Sequence, residues 1–211
     1  MAFIPKLIFR IQDMMKSSYL EQNLDALKCN DFTIISSNCW GGILYKDLGL
    51  PYQSPFVNMY MYGDDFVKMV SDLRHYLEFE LRFINKSKHI PDKKIDYPLA
   101  LLKDVEIHFI HFKTREAVIE KWQERMKRIN YNKLIFVMSE RDGATERTME
   151  RFDQLPFENK ICLTVNEYPQ IKSAVKISLA FLFEVAPPAD QLAGLSYSKV
   201  DVVKYINRTC G

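Results

Sequence analysis

The chain has 211 residues, 47% of them hydrophobic and 13% aromatic, enough apolar surface for one large domain with a substantial core and too much for general disorder. Lys and Arg total 29 against 27 Asp and Glu, a net charge of +2, so no global field draws the protein to nucleic acid. We therefore expect no nucleic-acid partner and a single domain over residues 1–211.

Taken in chain order, Ile4 to Leu27 places Ile8, Ile11, Met15, Leu20, Leu24 and Leu27 at near-helical spacing, which predicts an amphipathic entry helix packed on the domain. Lys6 and Arg10 interrupt its first turns, unlike a secretory signal, and no apolar run reaches membrane-spanning length. A cytoplasmic protein without a transmembrane segment is expected.

Phe32 to Ser36 reads as a buried strand delivering the loop Ser37-Asn38-Cys39-Trp40-Gly41-Gly42. A long ordered loop over Tyr45 to Tyr62 follows, with a short strand at Phe56 to Met61. Asp64 then caps a helix whose stripe runs Phe66, Val70, Leu73, Leu77, Leu81 and Ile84. Lys86, Lys88, His89, Lys93 and Lys94 surround Pro91 as a solvated basic loop.

Leu99 to Leu102 and Val105 to Phe112 flank Lys103-Asp104 as a hairpin feeding a central strand. Thr114 opens a helix with Val118, Trp122, Met126 and Ile129 on one face, and Leu134 to Met138 forms a strand ending in Ser139-Glu140-Arg141-Asp142-Gly143. A short helix through Phe152, a strand over Lys160 to Val165, a helix begun by Pro169 and a closing helix from about Lys199 to Asn207 complete the pattern. Strands alternating with helices predict a three-layer α/β domain: a mostly parallel central sheet built on residues 33–37, 105–111, 134–138 and 161–165, with helices covering it and room for an antiparallel hairpin.

In open parallel sheets ligands bind beyond the carboxyl ends of the strands, where the exits converge. The residues expected on that rim are Asn38, Cys39, Trp40, Gly41, Gly42, His111, Arg141, Asp142, Gly143 and Glu167. His111, at a strand end, is preferred over His108 as a base; Cys39 is the candidate nucleophile if His111 is close enough to take its proton. Arg141 suits a phosphate, while Asp142 or Glu167 suits sugar hydroxyls or a divalent ion. Trp40, Tyr45, Tyr52, Tyr60 and Tyr62 offer an alternative aromatic surface for a glycan or partner. Cys29, Cys39, Cys162 and Cys210 lack metal-site spacing, so neither structural zinc nor a disulfide is expected. No phosphate-loop, dinucleotide or serine-elbow motif occurs, and the sequence carries no signal for a particular cofactor or oligomeric state.

Phe32 to Gly42, Asp47-Leu48-Gly49-Leu50-Pro51, Ser54-Pro55, Asp65-Phe66, Val105 to Phe109, Trp122 with Arg125, Lys127 to Asn130 and Glu140 to Gly143 together resemble an uncharacterised bacterial family. Its members are commonly filed as exopolysaccharide-biosynthesis proteins of unknown function. The resemblance implies work beside capsule or exopolysaccharide assembly, with a sugar, nucleotide sugar or lipid-linked sugar as partner. Two readings are open: a transferase-like enzyme, or a noncatalytic carbohydrate-binding or assembly protein.

Overall fold

The computed structural model describes the chain from residue 3 to 211, and side chains from residue 7 onward except Ile8, so the expected inward position of Ile8 falls outside the described residues. The entry helix α1 spans Phe3–Asn23. A strand β1 (Thr33–Ser36) leads directly into α2 (Trp40–Asp47). After a long connection come α3 (Gly63–Ser71), α4 (Leu73–Tyr76), and strands β2 (Leu81–Ile84), β3 (Leu99–Leu102) and β4 (Val105–His108). The chain continues through α5 (Arg115–Met126), β5 (Leu134–Ser139), α6 (Glu146–Asp153), β6 (Lys160–Thr164) and β7 (Ala174–Lys176). It closes with α7 (Ala189–Val200) and α8 (Val202–Cys210).

Two sheets result. One is wholly parallel in the order β1-β5-β6-β7, and the other is antiparallel in the order β2-β3-β4. The parallel sheet separates two cores because successive strand residues face opposite sides. Ile34, Ile135, Val137, Ile161 and Leu163 pack with residues of α1, α2, α7 and α8. Ile35, Phe136, Met138 and Cys162 pack with residues of α3, α5, α6 and the antiparallel sheet. Burial on both faces explains why these strands read as unbroken apolar runs.

The hairpin turns at Lys103-Asp104 as expected, with Lys103 at φ 59°. Residues 105–108 nonetheless join the antiparallel sheet, not the parallel one, because β4 pairs with the strand that immediately precedes it and leaves the place beside β1 to β5. The stripe from Phe66 to Ile84 is likewise divided. The chain leaves helical conformation at Asp72 (φ −144°, ψ 52°), and Leu81 and Ile84 belong to β2. Trp40 to Asp47 is helical where a loop was expected, Pro169 begins turns leading to β7, and the closing helical region starts ten residues early at Ala189.

The two sheets meet through one segment of the long connection. Tyr60 exchanges backbone hydrogen bonds with His108 (3.0 and 2.9 Å), and the next residue, Met61, donates its N–H to Ser37 O at 2.8 Å. The exits of β4 and β1 are thereby held side by side.

The expected absence of a disulfide is corrected. Cys29, before β1, is bonded to Cys210 in the last turn of α8, with Cα atoms 6.1 Å apart across a separation of 181 residues. Among the described residues no helix is long and apolar enough to cross a membrane.

Candidate functional site at the strand exits

Asn38 follows β1 and is buried. Its side-chain oxygen accepts the Trp40 N–H at 3.0 Å, starting α2, and its Nδ2 donates to Ser139 Oγ at 2.8 Å, tying the β1 exit to that of β5. The residue whose Asx turn leads into the helix therefore also fixes the spacing of two rim segments.

The helix that begins there lies unusually close to the strand. A side chain on Gly41 would come within 2.9 Å of Ile34, and one on Gly42 within 2.8 Å of Val57. Trp40 is 1% exposed, donates Nε1–H to Ser196 Oγ at 3.0 Å and packs edge-on against Tyr197. Trp40, Gly41 and Gly42, expected as ligand contacts, thus have packing reasons to be what they are. Tyr45 is also fully buried, with its hydroxyl bonded to the backbone of β1, so the imagined aromatic surface loses two of its five members.

Cys39 donates its thiol to Met59 O at 3.5 Å. Burial, then the Asp142 carboxylate, and more weakly that of Asp190, push the thiol up to about 11. At neutral pH about one molecule in ten thousand would carry the thiolate, which argues against Cys39 as a resting nucleophile. His111 lies exposed in the turn after β4 and makes no hydrogen bond among the described residues, so no imidazole is engaged with Cys39.

Beyond β5, Arg141-Asp142-Gly143 forms a tight turn with two positive φ values, 52° at Asp142 and 74° at Gly143. Gly143 is needed for approach as well as backbone shape, since a Cβ there would lie 3.0 Å from the Tyr62 ring. Arg141 donates Nη1–H to Ala186 O at 3.0 Å and sits 3.6 Å from the Asp142 carboxylate. Burial raises the Asp142 carboxyl above its ordinary range, while Arg141 pulls it down. The Asp142 carboxylate accepts no hydrogen bond among the described residues, although Asp142 also acts electrostatically on Tyr60 and Tyr62.

Glu140 is occupied structurally: its carboxylate accepts from Val165 N, Asn166 N, Asn166 Nδ2 and Tyr168 Oη. Glu167 instead points outward, largely exposed, and pairs with Lys176 at 3.1 Å, so the rim does not include its carboxylate.

The sequence reading missed a second set of polar residues. The loop holding His89 folds back on α3 and β4. Ser87 Oγ and Lys88 N donate to the buried Glu106 carboxylate at 2.6 Å each, and Lys88 Nζ lies 2.7 Å from Asp65. His89 Nε2 is 2.9 Å from Asp65 Oδ2, and its ring stacks on Tyr62 at 4.0 Å. His108, wholly buried, stacks on Tyr60 at 4.4 Å, bonds Tyr97 Oη through Nδ1 at 3.1 Å and has Nε2 3.5 Å from Glu106 without hydrogen-bond geometry. Burial drives the His108 imidazole down to about 4, so it is neutral near pH 7.

Tyr62 joins the halves: the Gly143 turn approaches its ring edge, and His89 covers a face. The rim therefore unites Asn38, Cys39, Arg141, Asp142 and Gly143 with Tyr60, Tyr62, His89 and Asp65. An open groove of about 750 Å3 lies elsewhere, at the amino edge between the start of β6 and α8, and contains none of these residues.

This arrangement is carried by a domain of unknown function whose family model, DUF1919, matches residues 10–207. The chain belongs to the DUF1919 family. It is also 41% identical over 145 residues to an uncharacterised protein of Haemophilus influenzae, covering 69% of this chain and 67% of that relative. The span matched by the family model contains β1 through α7 and so includes every rim residue described above.

Proposed function

We propose that the strand-exit rim binds a sugar or nucleotide sugar, and that the protein is a transferase-like enzyme of exopolysaccharide or capsule biosynthesis working in the cytoplasm. The observation that carries this reading is Asp142: a half-buried carboxylate, set by a left-handed turn at the end of a central strand, that accepts no hydrogen bond among the described residues and is open to a ligand. Ligand hydroxyls donating to it would make charge-assisted hydrogen bonds, worth roughly 1.5–3 kcal/mol each.

Around it the remaining groups have natural roles. Arg141 is beside the same turn for a phosphate, and Tyr62 offers ring surface for a sugar or base. His89 replaces His111 as the general base. Its Nε2–H is directed to Asp65, which fixes the ring and leaves Nδ1 able to take a substrate proton. Asp142 and Arg141 bind, His89 removes a hydroxyl proton, and the protonated Cys39 is a wall of the site.

Thermal-shift and calorimetric titration with a panel of nucleotide sugars, sugar phosphates and free glycans tests this. Binding of a nucleotide sugar is expected, weakened about tenfold or more by Asp142→Asn and by Arg141→Ala while both variants stay folded. Binding of free glycans alone would shift the reading to a carbohydrate-binding protein, and binding unaffected by either substitution would remove the rim from the account.

A further inference from the structure

Away from the rim, Cys29 Sγ, Cys210 Sγ and an Asp31 carboxylate oxygen all lie within 4.8 Å of one another. Cys29 and Asp31 come from the segment leading into β1, and Cys210 from α8, so two distant parts of the chain bring three ligand-bearing residues together. Cys29 Sγ is 3.3 Å from Asp31 Oδ1, and Lys133 Nζ bridges both Asp31 oxygens at 2.7 and 2.9 Å.

We propose that this cluster is a redox-gated zinc site, closed as the Cys29–Cys210 disulfide and opened by reduction to bind one zinc ion through Cys29, Cys210 and Asp31. Two thiolates and a carboxylate are a fitting donor set for zinc, with water completing four-coordination. A dithiol reductant delivers two electrons and two protons to the disulfide, is itself oxidised to a disulfide, and leaves two thiols. Zinc then displaces both thiol protons and Lys133 from Asp31.

The geometry makes the exchange small. Sulfurs about 2 Å apart in a disulfide must move to about 3.8 Å on one tetrahedral zinc with bonds near 2.3 Å. Cys210 occupies the last turn of α8, where fraying costs little, and Cys29 lies in non-helical backbone. Either state keeps α8 fastened to the segment before β1. Asn207 adds to that fastening in both, accepting the Lys28 N–H and donating to Ala26 O.

The test uses the full chain, reduced and freed of reductant under anaerobic conditions, titrated with cobalt(II) as a spectroscopic probe and then with zinc. One equivalent of cobalt is expected, with thiolate charge-transfer absorption and tetrahedral ligand-field bands, displaced by one equivalent of zinc. Oxidised protein and Cys210→Ser should lack the thiolate-rich signal, and Asp31→Asn, checked for folding by circular dichroism, should weaken zinc about tenfold or more. Absence of stoichiometric binding by the reduced chain, or binding equal in Cys210→Ser or in the oxidised protein, would overturn the proposal.

Discussion

His108 should make the protein sensitive to acid in a defined window. Its imidazole is held neutral to about pH 4 in the folded chain, whereas an unfolded histidine titrates near 6.5. Between those values the unfolded state binds more protons, so stability rises with pH through the window, is complete above about 6.5 and is lost as pH falls toward 4. A gap of that size corresponds to roughly 3 kcal/mol at most. The gap is a net one: burial and the neighbouring His89 lower the imidazole, and the Glu106 and Asp65 carboxylates only partly oppose them. Urea unfolding of the native protein and of His108→Gln at pH 7 and pH 4.5 measures the difference. The native chain should lose about 1–3 kcal/mol more between the two values than the variant does. Equal losses would refute the assignment of this sensitivity to His108.

Cys39 should be slow to alkylate with iodoacetamide at pH 7.5 and should accelerate steeply toward pH 11, following its raised thiol; mass-spectrometric rates near those of a model thiol would contradict the burial argument. Gly194→Ala should destabilise despite a helix-propensity gain of about 1 kcal/mol, because the new Cβ would lie 2.4 Å from Gln12 O and must push α1 off α7. A net loss of about 1–3 kcal/mol in denaturant titration is expected, and a gain would show that the two helices separate freely.

The strands β1, β5 and β6 were legible because both faces are buried, giving apolar runs that end in polar exits, and the exit rule places Asn38, Cys39, Arg141 and Asp142 at the neighbouring ends of β1 and β5. That rule misassigned His111, because β4 has the same apolar composition but belongs to the other sheet and sends its chain into an exposed turn. His89 escaped notice for a different reason. Its lysine-rich loop reads as solvated, and only the folded chain brings in the Asp65 and Glu106 carboxylates that anchor it. The apolar stripe through Phe66 and Ile84 kept helical spacing across a helix, a turn and a strand, so periodicity alone could not divide it. The Cys29–Cys210 pair has no local signature at a separation of 181 residues.

From Val57 to Tyr62 buried and half-buried residues alternate as in a strand, although Asn58 turns the backbone at φ 64° and the segment runs between sheets. Met59 and Met61 are fully buried in one core, while the intervening and following tyrosines belong to the rim. Its length is therefore as constrained as its composition. Adding or deleting one residue ahead of Met59 would reverse the alternation against the fixed partners Ser37 and His108, turning thioethers toward the rim and phenols into the core. Among relatives of this protein, variation in loop length should accumulate before Pro55 and be excluded between Val57 and Tyr62, where an irregular connection obeys the parity of a sheet.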